Sequence, residues 1–246
     1  ADDHQPREPA AADCAAGEYG QRDDGRGVGR DGAVHAADGF GRDVDRPVVG
    51  DCLAAHDAQV IGAGITTVLD AVCVGDYRDS GKRRRILDDS IASVAQARAA
   101  DLLRADHLFH LRCEVSDPTV VEMFEPYADH PLLRLVSVMD HTPGQRQWRD
   151  LDSYRTFNRD KNWSDAELAV VVAEYKEKMA RHSDVNRKAV LDLCRGLDVS
   201  LASHDDTTEE HVEQAHAEGI AIAEFPTTLA AARLASNACT DWVSGC

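Results

Sequence analysis

Histidine and acidic side chains follow three short apolar segments of this 246-residue sequence. Glu114 ends the first of these segments, Asp140 and His141 end the second, and His204 and Asp205 end the third. Imidazole nitrogens and carboxylate oxygens are the ligand types that suit Zn²⁺ and similar divalent ions. A single histidine in such a place is more often a hydrogen-bonded structural residue. Two histidines and a glutamate at three segment ends leave two interpretations open, a metal centre and a set of hydrogen-bonded structural residues.

The segments before these residues follow a strand pattern, and helix patterns separate them. The predicted strands lie at 64–70, 107–114, 132–141, 199–205 and 220–224. The predicted helices lie at 86–103, 164–179, 185–195, 206–219 and 227–235. Alternating strands and helices predict βαβ units and a parallel sheet. In such a fold the site lies at the carboxyl ends of the strands, where the candidate residues fall.

Three other residues have side chains that could bind a metal or act as a nucleophile, but they do not lie at the end of a predicted strand. His56 and Asp57 are adjacent and could be mistaken for a metal motif, but we expect them on a helix before the first strand. Cys113 lies inside a predicted strand, where a small buried core residue is a better interpretation than a nucleophile. None of the three is therefore assigned to the site.

Composition narrows the class of protein. Lys and Arg total 27 against 44 Asp and Glu, which gives a formal charge of −17. This surplus repels nucleic acid and anionic membrane surfaces, so neither is expected as a partner. The seven cysteines include no C-x-x-C pair, which argues against a disulfide framework or a thiolate zinc site. With no apolar run of the roughly 18 residues needed to span a membrane, we expect a cytoplasmic protein.

Several segments between residue 53 and about residue 235 resemble one family of enzymes. They are similar, in the same order, to the alpha-D-ribose 1-methylphosphonate 5-triphosphate diphosphatases of phosphonate degradation, which belong to the amidohydrolase superfamily. The segments that carry the resemblance are Ala55–Ala58, Gly64–Ala71, Leu111–Glu114, Val136–Gln147, Asn186–Arg187, Ala202–Asp206 and Ala223–Thr228. One such segment would be unspecific, whereas the ordered series is specific.

The resemblance implies a metal-dependent hydrolase built on a (β/α)8 barrel. The family cleaves a ribose triphosphate ester between its α- and β-phosphates, leaving a 5-phosphate and pyrophosphate. Carried over to this sequence, Glu114, His141 and His204 are the expected ligands of a divalent ion, Zn²⁺ or Mn²⁺. Asp205 is an expected catalytic residue that orients a histidine or a water molecule, and Asp140 is the weaker choice for that role.

The resemblance also implies a small phosphorylated ribose as the substrate. Arg112, Gln145 and Arg146 flank the expected ligands and could hold phosphate oxygens, Arg by its two-pronged guanidinium. For Arg146 a solvated loop charge is an equally good interpretation. Glu224 ends the fifth strand and is expected either to line the pocket or to orient its loop.

Both ends of the sequence depart from the family. Residues 1–52 contain no Leu, Ile, Met, Lys, Ser, Thr or Asn, which predicts a disordered or out-of-frame leader. Residues 236–246 lose the family pattern as well. The histidine motif of the first barrel strand and the aspartate of the last one are both absent from their expected places. About five βαβ units remain, so the fold class expected for 53–235 is α/β, a partial barrel.

Two alternatives to an active diphosphatase stay open. The departures at both ends favour a catalytically inactive fragment, truncated or frameshifted, which would retain metal weakly. Another amidohydrolase, such as a deaminase, would share the ligands but would not need the segment Asp140–Gln147. An open barrel also exposes strand edges, so self-association into a homo-oligomer is a further expectation.

Overall fold

The structure, a computed structural model, describes residues 47–76 and 81–243. Most of the predicted leader, residues 1–46, lies outside the described residues, and residues 47–52 begin the first helix. The predicted tail begins within the last helix, whose backbone is described to Val243.

The described residues contain five strands and seven α-helices, and at least one helix separates each strand from the next. The strands are β1 (Thr67–Val74), β2 (Asp106–Glu114), β3 (Leu133–Met139), β4 (Ser200–His204) and β5 (Ile222–Glu224). The helices are α1 (Pro47–Gly62), α2 (Lys82–Ala99), α3 (Val120–Phe124), α4 (Leu151–Phe157), α5 (Asp165–Cys194), α6 (Glu209–Ala217) and α7 (Leu229–Val243). Short 3₁₀ turns occupy Glu125–Tyr127, Arg146–Trp148 and Arg159–Lys161.

The five strands form one parallel sheet in the order β1-β2-β3-β4-β5. The α/β class and the parallel sheet predicted from the sequence are thus confirmed. Spatial order follows chain order without the reversal that marks a doubly wound sheet. This is the order of strands in a barrel wall. Within the described residues β1 and β5 are the edge strands, so the sheet there is open.

The apolar core lies on one face of the sheet. Side chains of β1, β2 and β3 such as Val74, Leu111 and Val138 pack there against helices α2, α3 and α5. Cys113 is fully buried in this core, as the sequence predicted. Leu87 of α2 is fully buried there as well. The helices thus cover one face, which leaves the opposite face of the strands for the site.

Helix α5 is longer than the sequence analysis predicted. Its start is confirmed, because Ser164 and Glu167 form the reciprocal contacts of a capping box. Two helices were predicted, with a break near residue 184, but α5 is one helix of 30 residues. That prediction was wrong because residues 180–184 contain no Gly or Pro that would end a helix. Of the helices in the described part of the chain, none is long and apolar enough to cross a membrane.

Candidate metal centre

The predicted site residues gather at the carboxyl ends of three adjacent strands. Glu114 is the last residue of β2 and His204 is the last residue of β4. His141 lies two residues beyond the end of β3, and Asp205 follows β4 directly. Parallel strands end on the same edge of a sheet, so residues far apart in sequence meet there. The structure therefore brings these predicted site residues together.

Three side chains converge closely enough to hold one metal ion. One ligand atom from each of His141, His204 and Asp205 lies within 4.8 Å of the other two. The Nε2 atoms of His141 and His204 lie 3.7 and 3.5 Å from Oδ2 of Asp205. This donor set suits Zn²⁺ or another borderline divalent ion.

The surroundings of the Asp205 carboxylate favour a cation at this position. Its Oδ2 atom is buried and has no hydrogen-bond partner, a state that costs free energy unless a donor or a cation faces the atom. Burial raises the pKa of the Asp205 carboxyl above its ordinary value, although the nearby imidazoles of His204 and His141 act in the opposite direction. A divalent ion would satisfy the unpaired oxygen, so the residues present fit such an ion.

Asp205 has an unusual backbone conformation, with φ at 54°. Aspartate enters this left-handed region more readily than most residues. The Asp205 amide donates a hydrogen bond of 3.0 Å to the carbonyl oxygen of Glu224, which ties the turn to β5. The neighbouring strand thus holds the turn that directs the Asp205 side chain toward the two histidines.

Glu114 lies behind His141 and is fully buried. Its Oε2 is 2.6 Å from Nδ1 of His141, and its Oε1 accepts the backbone N–H of His141 at 3.0 Å. The Ser116 hydroxyl also donates to Oε1, at 2.9 Å. These contacts fix the imidazole with Nδ1 toward Glu114 and Nε2 toward Asp205. The structure thus gives Glu114 the position of an orienting group, and its predicted role as a ligand stays a prediction.

Glu224 holds the second histidine in the same way. Its Oε2 is 3.2 Å from Nδ1 of His204 and accepts the Ser137 hydroxyl at 2.5 Å. His110 lies 3.6 Å from its other oxygen. Burial alone would raise the pKa of Glu224, but the His204 hydrogen bond and the charge of His110 lower it to about 2. Burial also lowers the pKa of His110 to about 4.

Sequence reasoning missed His110 and Ser137 as members of this polar group. A signal was present in β2, where His110, Arg112 and Glu114 alternate with the apolar residues Phe109, Leu111 and Cys113. Alternate residues of a strand share one face. This alternation of polar and apolar residues therefore indicated that one face of β2 is polar.

Arg112 is adjacent to the converging side chains. Its Nη2 lies 3.1 Å from Nε2 of His204, the nitrogen that faces Asp205. A guanidinium only donates hydrogen bonds, so this nitrogen of His204 is the acceptor. An ion at the same nitrogen would displace the Arg112 contact.

The other predicted residues contact the surrounding loops. Arg146 is buried and donates to Asp206 at 2.7 Å and to the His204 carbonyl at 3.0 Å. Asp140 accepts the Ser183 hydroxyl at 2.7 Å. Gln145 has a buried amide nitrogen without a hydrogen-bond partner. The substrate and catalytic roles predicted for Arg146, Asp140 and Gln145 stay predictions.

Together the fold and the site define an α/β protein whose parallel strands end in a group of side chains able to bind a metal ion. A curated protein similar to this chain is the alpha-D-ribose 1-methylphosphonate 5-triphosphate diphosphatase of Escherichia coli (strain K12), 42% identical over 181 residues. The alignment covers 73% of this chain and 48% of that protein, so the chain spans about half the length of the curated relative it matches. No protein-family model and no solved structure matches the chain.

Proposed function

We propose that this chain is a metal-dependent hydrolase of phosphonate degradation that acts on a ribose 1-methylphosphonate 5-triphosphate. The reaction adds water across the anhydride bond between the α- and β-phosphates and leaves a 5-phosphate and pyrophosphate. The observation that carries this proposal is the 42% identity to the Escherichia coli diphosphatase. The convergence of His141, His204 and Asp205 supports the dependence on a metal.

Two imidazoles and one carboxylate of this chain would hold the ion. His141 and His204 would use Nε2, and Asp205 would use its unpaired Oδ2. A divalent cation such as Zn²⁺ or Mn²⁺, when bound, supplies positive charge that acidifies a water molecule and offsets charge on phosphate oxygens. Glu114 keeps the His141 ring in the productive orientation through Nδ1.

Arg112 is the residue best placed to bind the substrate phosphates. Its guanidinium lies at the edge of the candidate metal centre and contacts the imidazole of His204 instead of a carboxylate. Arg146, by contrast, already forms an ion pair with Asp206. In a chain with a formal charge of −17, a polyanionic substrate needs local positive charge. We therefore assign phosphate recognition first to Arg112, and the support of the loop after β4 to Arg146.

We also propose that the protein acts in the cytoplasm and associates with itself. Leu69 on the inner face of β1 and Ile222 on β5 are 38% and 39% exposed. Exposed apolar groups on edge strands favour pairing with another chain. Analytical ultracentrifugation over a range of concentrations would detect this association, and a monomer at every concentration would refute it.

The test of the proposed function is release of pyrophosphate. The purified chain, loaded with Zn²⁺ or Mn²⁺, is expected to release pyrophosphate from a ribose 1-methylphosphonate 5-triphosphate, and Asp205→Asn is expected to abolish the release. Glu213→Gln is the matched control, because it also removes one negative charge but at an exposed position on α6. Metal-loaded protein that releases no pyrophosphate would refute the proposal. A panel with deaminase substrates would then distinguish another amidohydrolase from an inactive chain.

A further inference from the structure

A continuous line of polar side chains crosses the inner face of the sheet from β2 to β5. His110 of β2 contacts the hydroxyl of Ser137 on β3 through Nε2. Ser137 donates to Glu224 of β5, and Glu224 contacts His204 of β4. The side chains of His110 and His204 are 9% and 2% exposed, and that of Glu224 is 15% exposed. The line thus joins a buried histidine that does not face the metal centre to one that does.

The chemistry of the two groups that flank His204 fixes the position of its proton. The Glu224 carboxylate can only accept hydrogen bonds, so Nδ1 of His204 carries the hydrogen. The Arg112 guanidinium can only donate, so Nε2 carries a lone pair. Both contacts are therefore satisfied by the tautomer of His204 that carries its hydrogen on Nδ1 and its lone pair on Nε2. Its lone pair is directed to the same side as the unpaired oxygen of Asp205.

The remaining hydrogen bonds of the line run in one direction. Ser137 has one hydroxyl hydrogen, which it donates to Glu224 at 2.5 Å. The Ser137 oxygen must then accept from His110, so Nε2 of His110 carries a hydrogen. Every donor in the line thus has an acceptor. Ser137, which is itself held by His110, thus keeps the Glu224 carboxylate on the side that faces His204.

We propose that Glu224 is a positioning residue that fixes the tautomer and ring orientation of His204, with Ser137 and His110 fixing Glu224 in turn. The consequence for metal binding rests on the proposed function, in which Nε2 of His204 is a ligand. Groups that hold the other nitrogen of a ligating histidine commonly change metal affinity by about 10- to 100-fold when they are removed. Glu224 acts through His204 and does not contact the ion.

The first test needs neither a variant nor a metal. In protein labelled with ¹⁵N-histidine and free of metal, long-range ¹H–¹⁵N spectra at neutral pH distinguish the two neutral tautomers. The expected result for His204 is a protonated Nδ1 and an unprotonated Nε2. A His204 ring protonated at Nε2 would overturn the proposal.

The second test separates the hydrogen bond from the charge of Glu224. Glu224→Met removes the acceptor and is expected to allow exchange between His204 tautomers and to weaken Zn²⁺ binding about 10- to 100-fold. Glu224→Gln keeps an acceptor oxygen and is expected to preserve the tautomer and to bind Zn²⁺ within a few-fold of the unmodified protein. Glu213→Gln is again the control for the loss of one negative charge.

The outcomes separate the two proposals. If Glu224→Gln binds Zn²⁺ as weakly as Glu224→Met, charge and not the hydrogen bond matters, and the positioning role is refuted. Unchanged binding by Glu224→Met would refute it as well. If the unmodified protein binds neither Zn²⁺ nor Mn²⁺, the proposed function fails, whereas the tautomer measurement still decides whether Glu224 positions His204.

Discussion

Replacing Asp70 with asparagine is expected to destabilise the protein by about 3 kcal/mol, because it removes one side of a buried charge cluster. His107 of β2 is fully buried. Its Nδ1 lies 2.8 Å from Asp70 of β1, and its Nε2 lies 3.5 Å from Asp57 of α1. His56, also on α1, lies 3.7 Å from the other oxygen of Asp70. The cluster thus fastens helix α1 to the first two strands.

The expected magnitude follows from the partners that remain. Removing one partner of a buried ion pair costs about 3–5 kcal/mol. In Asp70→Asn the imidazole keeps Asp57 as a partner, so the lower end of that range applies. Asp57 itself accepts the amides of Arg104 and Ala105 at 2.9 and 2.8 Å. These contacts hold Asp57 in place after the substitution.

The cluster also gives the free energy of unfolding a defined dependence on pH. Burial alone would lower the pKa of His107, but Asp70 and Asp57 outweigh it and raise this pKa above its ordinary value. A raised histidine pKa contributes stability that is present below about pH 6.5 and is lost as the pH rises through the folded-state pKa. The nearby guanidinium of Arg98 on α2 contacts the backbone carbonyl of His107, at 3.5 Å, and not its imidazole.

The two carboxylates act at the acidic side. Burial alone would raise their pKa values, but hydrogen bonds from Ala105 and Arg104 lower that of Asp57, and the hydrogen bond from His107 lowers that of Asp70. A lowered carboxyl pKa contributes stability that is present above about pH 4 and is lost as the pH falls through the folded-state pKa. The cluster therefore stabilises the fold most between about pH 4 and about pH 6.5, and this stabilisation declines as the pH rises through the raised pKa of His107.

Urea unfolding at pH 5.5 and at pH 9 measures the cost of Asp70→Asn and the part of the pH dependence that comes from His107. The unmodified protein is expected to lose stability from this cluster between the two pH values, and Asp70→Asn is expected to lose less. Asp106→Asn, which removes an exposed partner of Arg98, is the control and is expected to cost less than about 0.5 kcal/mol. Equal stability of Asp70→Asn and Asp106→Asn would refute this account of the cluster.

Three further substitutions test the site and its supports. Arg112→Gln removes a positive charge beside the metal centre, so calorimetry should show divalent ions binding roughly five-fold more tightly, by about 1 kcal/mol, and weaker or equal binding would contradict this. Asn186→Ala removes hydrogen bonds of 3.0 and 2.8 Å to the carbonyls of Val115 and Asp117, and urea unfolding should show a loss of about 2–3 kcal/mol. Gly144→Ala forces a side chain into a backbone with φ at 99° and should cost about 1–2 kcal/mol; a thermal melt unchanged from the unmodified protein would refute that strain.

The sequence predicted the elements and the edge of the sheet where the site lies. Strand and helix patterns alternate clearly, and Glu114, His141 and His204 follow apolar strands, so their meeting at one edge follows from a parallel sheet. The helix boundary near residue 184 was predicted wrongly because no glycine or proline marks it. Sequence patterns thus predicted the strands and helices correctly where residues close together in the chain determine the structure.

The partners of each side chain could not be predicted in the same way. Glu114 and Asp205 are both acids at strand ends, yet Glu114 orients His141 while Asp205 faces both imidazoles. The difference depends on the turn after β4, where Asp205 has a positive φ. His56 and Asp57 were correctly predicted on a helix, but their contacts with β1 and β2 depend on how that helix packs. Contacts between distant segments are visible only in the folded structure.

The most direct test of the metal centre is a titration of metal-free protein with Zn²⁺ and Mn²⁺, followed by calorimetry. The unmodified protein is expected to bind one of these ions stoichiometrically. Binding is expected to be lost in a variant that combines His141→Gln with Asp205→Asn, and to be unchanged in Glu213→Gln. Binding that persists in the double variant, or that is absent from the unmodified protein, would contradict the assignment of His141, His204 and Asp205 as the metal centre.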